Sequence, residues 1–154
     1  MFQYHIHEPS ECITIREDIL NWLAQELEIL FPQETAGIVT IAFLDDVRIQ
    51  ELNHQYRGID KTTDVLSFHY FDDFSALQKD EVAGELILSE SRVLEQAKEF
   101  KETPEAECMK LIIHSSLHLL GYDHEEEEDY KEMRELEKYL ETKLLDQFNI
   151  KIHE

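Results

Sequence analysis

A chain of 154 residues with 42% hydrophobic residues, 4 Gly and 3 Pro has the composition of one folded domain spanning 1–154, not that of a disordered or fibrous segment. With 14 basic against 35 acidic residues the formal charge is −21. Such a surface repels bare nucleic acid and anionic membrane, so a polyanion needs a local basic patch, a metal or a partner protein to approach. The two cysteines, Cys12 and Cys108, form no C-x-x-C pair, and the N-terminus MFQYHIHEPSE has no basic segment and no long apolar run. Both features point to a reducing cytoplasm.

In chain order, FQYHIH (2–7) alternates and reads as an edge strand. Residues 15–30 carry Ile19, Leu20, Leu23, Leu27 and Leu30 at helical spacing. AGIVTIAFL (36–44) is β-branched and apolar, a buried strand too short to span a bilayer. Asp45 or Asp46 caps a helix through Val47, Ile49, Leu52 and Tyr56, which Gly58 ends. DVLSFHY (64–70) and VAGELILS from Val82 are two further strands around an acidic loop at 71–81. Ser89 or Ser91 starts a helix with Val93, Leu94, Ala97 and Phe100. Thr103-Pro104-Glu105 starts another: a capping hydroxyl, Pro in the first turn and an acid beside it. That helix stops at Gly121, a natural left-handed terminator. A last helix from about Glu125 to Leu145 places Met133, Leu136, Leu140 and Leu144 on one face, and EEEED (125–129) is its solvated start. The expected fold is α+β: a small mixed four-stranded sheet with about five helices packed on it.

HSSLHLLGYDH (114–124) carries the chemistry. Histidines four apart on a helix differ by about 40° around its axis, so His114 and His118 project to one side. Gly121 lets the chain turn out of the helix, and His124 approaches from a third direction. Three imidazoles leave one position of a tetrahedral zinc open, the arrangement of a catalytic site and not of a structural one. The spacing is that of a long zinc-protease motif with one change. The protease Glu after the first histidine, which acts as general base, is Ser115 here, and a hydroxyl cannot take that role near neutral pH. A bound metal still lowers the pKa of its water to about 7 and neutralises charge on phosphoryl oxygens, which suits a phosphodiester. His5, His7 and His153 lie near the termini without such a pattern; His54 and His69 are ambiguous. In YRGIDKTTDVLSF (56–68), Arg57 sits where a helix gives way to a loop and offers a planar fork that matches phosphate. With Arg48 and Lys61 it makes a locally positive window. The alternative is a surface loop whose arginine pairs with a neighbouring carboxylate.

These two segments resemble the YbeY family of bacterial metal-dependent endoribonucleases that mature ribosomal RNA. HSSLHLLGYDH is similar to the family's H-G-x-L-H-L-x-G-Y-D-H, and LNHQYRGIDKTTDVLSF to its L-N-x-x-Y-R-x-x-D-x-x-T-D-V-L-S-F block; GELILS (84–89) and MRELE (133–137) match weaker patterns in the right order. The resemblance covers about residues 36–140. It implies one zinc per chain, or another first-row divalent ion, held by His114, His118 and His124 at the C-terminal end of a central helix. It implies Arg57 and His114 as catalytic residues and a cytoplasmic, single-strand-specific endoribonuclease. Its expected partners are ribosomal RNA and the small subunit or its assembly proteins, in 3′-end maturation and ribosome quality control; no membrane or DNA is expected. Ser115 replaces the usual Gly, Thr62 and His69 stand where Pro is common, and Glu85 replaces Asp. Two other readings compete. One is a zinc peptidase with a displaced base, with Asp123 or Glu85 supplying the carboxylate. The other is a non-catalytic ribosome-assembly factor with a structural zinc.

Overall fold

The computed structural model describes residues 1–32, 35–70, 78, 81–122 and 126–153. Strand β1 (Gln3–Glu8) leads to helix α1 (Glu17–Leu30), β2 (Ile38–Leu44), α2 (Asp46–Arg57), β3 (Val65–His69), β4 (Val82–Ser89), α3 (Glu90–Glu99), α4 (Pro104–Leu119) and α5 (Glu127–Phe148). The strands form one mixed sheet in the order β1-β2-β4-β3. β1 and β4 both run parallel to β2, while β3 pairs antiparallel with β4 at the other edge. The α+β architecture expected from the sequence is the one observed.

The helix starts follow from local chemistry. Asp45, Ser89 and Thr103 each accept a backbone N–H of the first turn through the side chain, from Arg48, Arg92 and Ala106 respectively. Pro104 follows Thr103 at the first helical position, where its missing N–H costs nothing. Gly58 ends α2 with φ +72°, and Gly121, two residues beyond α4, has φ +98°; both are left-handed conformations that suit a residue without Cβ.

Strand alternation divides the interior into two layers. Val39, Ile41, Phe43, Leu86 and Leu88 face a large core shared with α1, α3, α4 and α5. Leu44, Leu66 and Ile87 face the other way and pack under Ile49 of α2. Two helices differ from the sequence reading. In α2 the buried positions are Ile49 and Asn53, whereas Val47 and Tyr56 are 68% and 62% exposed, because this helix covers only one end of its sheet face. The last helix begins at Glu127 and runs on to Phe148, where Asn149 in a left-handed conformation (φ +56°) caps it. The acidic loop at 71–81 lies largely outside the described residues.

α4 is the central element: eleven of its sixteen residues are buried. The Tyr4 hydroxyl and Ser116 Oγ meet at 2.7 Å in the interior and fix β1 against it. The last turns of α4 reach the surface of a cleft, and they carry the histidines.

Candidate functional site

His114 and His118 lie one turn apart on α4 with their rings at 82° and centroids 4.6 Å apart. Their Nε2 atoms approach to 3.1 Å. One nitrogen donating to the other satisfies that approach; a cation shared by both is the other solution. Behind His114, the Nδ1 atom is 3.4 Å from Oε1 of Glu137 on α5, and Oε2 of the same carboxylate accepts from Arg134 at 3.0 Å. A carboxylate on the far nitrogen is the usual support of a metal-binding imidazole, because it fixes which ring nitrogen is left to coordinate. Burial pushes the Glu137 carboxyl up, but its bonds to His114 and Arg134 outweigh this and hold it below the usual carboxylate range. Two convergent imidazoles with that support fit a first-row divalent ion. His124, the third expected ligand, lies outside the described residues, as does Asp123.

The histidines open into a cleft of about 670 Å³ between the end of α4, β3 and the end of α2. Val65, Ser67 and His69 form its β3 wall, and Asp64 lies at the base of that wall. Arg57, the last residue of α2, reaches the same cleft and makes no ion pair with any described residue. Among the described residues, the surface ion pair of its alternative reading is absent. The other two cations of the basic window go elsewhere. Arg48 stands on the opposite face of the sheet, 3.5 Å from Glu8, and Lys61 is exposed, its carbonyl accepting from Asn53.

Ser115 is 2% exposed and lines the cleft where a zinc peptidase would carry its carboxylate. Glu85, one candidate for a displaced base, lines a groove on the far side of the sheet and not the histidine cleft. His5 and His7 are exposed; His153 is partly buried, and its backbone N–H donates to Glu102. His54 is exposed, and His69, ambiguous in sequence, lines the cleft.

Sequence reasoning did not single out Glu137, Asp64 or His69 for this site. Glu137 had a readable signal. It lies four residues after Met133 and three before Leu140, on the buried stripe of α5, and a carboxylate at a core position needs a partner. Asp64 is held by two side chains, accepting from Gln96 at 3.4 Å and from Thr63 at 3.4 Å. Gln96 also donates to the buried Glu107 at 2.7 Å, which ties this wall of the cleft to α4.

The model of the Endoribonuclease YbeY family matches residues 3–145. An Endoribonuclease YbeY of Clostridium botulinum (strain Eklund 17B / Type B) is 36% identical over 160 residues, covering 91% of this chain and 96% of that protein. Another from Carboxydothermus hydrogenoformans is 42% identical over 126 residues, covering 81% and 85%. The solution structure of TM1509 from Thermotoga maritima superposes with a TM-score of 0.59 at 32% identity, over 97% of this chain and 92% of that one.

Proposed function

The chain belongs to the Endoribonuclease YbeY family, and from that premise we propose that it is a metal-dependent endoribonuclease specific for single strands. Its place is the cytoplasm, in 3′-end maturation of small-subunit ribosomal RNA and in ribosome quality control. One observation carries the reading. Arg57, from a helix 57 residues earlier in the chain, lines the same cleft as His114 and His118.

His114, His118 and His124 are the residues that would hold zinc, or another first-row divalent ion, which when bound supplies Lewis-acid chemistry at a phosphoryl oxygen. Arg57 binds the scissile or an adjacent phosphate through its planar fork and offsets the charge that grows there in the transition state. Glu137 holds the His114 ring in place from behind. Asp64 and His69 on the β3 wall are the groups placed to accept or return a proton. The site also favours RNA over peptide. The residue after His114 is a hydroxyl, and Glu85 faces away, so the described residues do not supply the peptidase base in its usual place. A structural zinc would not call for an open cleft with an arginine on its wall.

The test is purified protein assayed for metal, for cleavage of single-stranded RNA and for cleavage of casein. About one first-row ion per chain, lost in the His114→Ala/His118→Ala double variant, and chelator-sensitive RNA cleavage are expected. Full metal occupancy in that variant would overturn the site. Chelator-sensitive casein cleavage without RNA cleavage would overturn the substrate class.

A further inference from the structure

β3 is an edge strand, and its alternation sends side chains to two separate surfaces. Val65, Ser67 and His69 line the histidine cleft, whereas Phe68 and Tyr70 line a second groove, of about 440 Å³, on the opposite face of the sheet. The end of α2 divides in the same way: Arg57 enters the cleft and Tyr56 the groove. His69 lines both, so the two surfaces meet at the end of β3.

The groove is aromatic where it leaves the cleft. Tyr56 and Tyr70 are 62% and 54% exposed, and Tyr56 stands edge-on to Phe68 with centroids 5.4 Å apart. Exposed rings in a concave surface are a costly arrangement in an isolated domain unless something covers them. Glu85 lines the groove beside Tyr70. The charges choose the occupant. Glu85 and the paired Glu8 and Arg48 line this groove, which leaves it no surplus positive charge for phosphate, while Arg57 draws phosphate into the cleft next door. A polymer whose charged backbone and flat apolar parts can go to different sides meets both conditions, and an unpaired nucleic acid strand is such a polymer. Bases stack on aromatic rings without needing a particular sequence, whereas a duplex keeps its base faces covered.

We propose that the Tyr56–Phe68–Tyr70 groove stacks unpaired bases of the same RNA whose scissile phosphate lies in the histidine cleft, so that the substrate crosses from one face of the sheet to the other over His69. This rests on the endoribonuclease reading and adds a physical source for single-strand specificity: a base must leave its partner to reach the groove.

The experiment uses the full chain as wild type, Tyr56→Ala, Tyr70→Ala, Tyr56→Phe and Tyr70→Phe. Affinity is measured by fluorescence anisotropy, with chelator present to stop cleavage, for a labelled single-stranded oligoribonucleotide and for the same oligomer with abasic riboses flanking the cleavage site. Single-turnover cleavage of both is then measured with metal restored. Wild type should prefer the intact strand by about fivefold or more for each base stacked. Each Ala variant should lose most of that preference and each Phe variant should keep it. Equal affinity of wild type for intact and abasic RNA overturns the proposal, and this arm does not depend on any variant folding. So does an Ala variant that keeps the full preference, which leaves the groove to a protein partner. Base-dependent binding without cleavage by metal-replete wild type would refute the nuclease reading and leave the groove; cleavage without base dependence would do the reverse.

Discussion

Replacing Glu137 tests the site without touching a proposed ligand. Its carboxylate is 6% exposed and bridges His114 Nδ1 at 3.4 Å and Arg134 at 3.0 Å. Removing a carboxylate behind a metal-binding histidine typically lowers metal affinity 10–100-fold, about 1.4–2.8 kcal/mol. The 3.4 Å contact is long against the roughly 2.7–2.9 Å of a charge-assisted hydrogen bond, which places Glu137→Leu near the lower end of that range, about tenfold. Glu137→Gln keeps an oxygen that accepts from Nδ1–H and loses only the charge, so its deficit should be smaller still. Arg134 is partly exposed and can rehydrate, so most of the effect belongs to the imidazole and not to the abandoned arginine. The assay is competition for the metal against a chromophoric chelator, with thermal melting of each metal-free variant as the control for folding. Unchanged affinity in Glu137→Leu, in a protein that melts normally, would refute the view that α5 orients His114 for a metal.

Four other outcomes follow from the coordinates. Arg57→Lys should keep a fraction of RNA cleavage and Arg57→Glu essentially none, a loss of about 2–4 kcal/mol seen in kcat more than in KM with bound metal unchanged; equal single-turnover rates would remove Arg57 from the chemistry. A Cβ on Gly84 would sit 2.6 Å from the Phe68 carbonyl and 2.9 Å from Leu119, so Gly84→Ala should lower stability by about 1–3 kcal/mol in denaturant melts. Glu102 titrates near 4.5 when unfolded, but burial and its neighbour Glu107 raise it to about 7 in the fold; between those values the folded state binds more protons, so stability should fall as pH rises from 4.5 to 7, and Glu102→Gln should flatten that slope. RNA affinity should depend weakly on salt, with a slope of log K against log salt of about −0.7 to −1.4 for one or two phosphate contacts to a single strand; a slope near −5 would mean many phosphate contacts and refute capture through Arg57 alone.

The parts of this fold that depend on neighbours in sequence were legible. Thr103-Pro104 starts α4, Gly121 turns the chain beyond it, and the four-residue spacing of His114 and His118 aims both imidazoles at one place. What was not legible depends on neighbours in space. The stripe of α5 was read with Leu136, which is only partly buried, because a hydrophobic pattern scores Glu137 as polar, whereas in the fold its carboxylate is satisfied by residues on two helices. Arg48, Arg57 and Lys61 form one basic window in sequence, yet nine residues of α2 put Arg48 and Arg57 on different surfaces. Tyr56 follows Leu52 at helical spacing, yet it is exposed, since the buried positions of α2 are Ile49 and Asn53.

The placement of charge then explains how a chain of net charge −21 can act on a polyanion. Arg16 is held by Glu105, Lys110 by Glu107, Arg134 by Glu137 and Lys143 by Glu26. Those cations offset carboxylates beside them. Arg57 makes no such pair with a described residue and lines the histidine cleft, so on the proposed reading its charge is available to a phosphate there. Outside it the acidic surface repels RNA, which disfavours nonspecific coating and long residence on duplex regions. On the proposed reading, a strand is retained only where a phosphate reaches Arg57 and its bases find an apolar surface at once, and the cleft and the groove that offer these meet at His69.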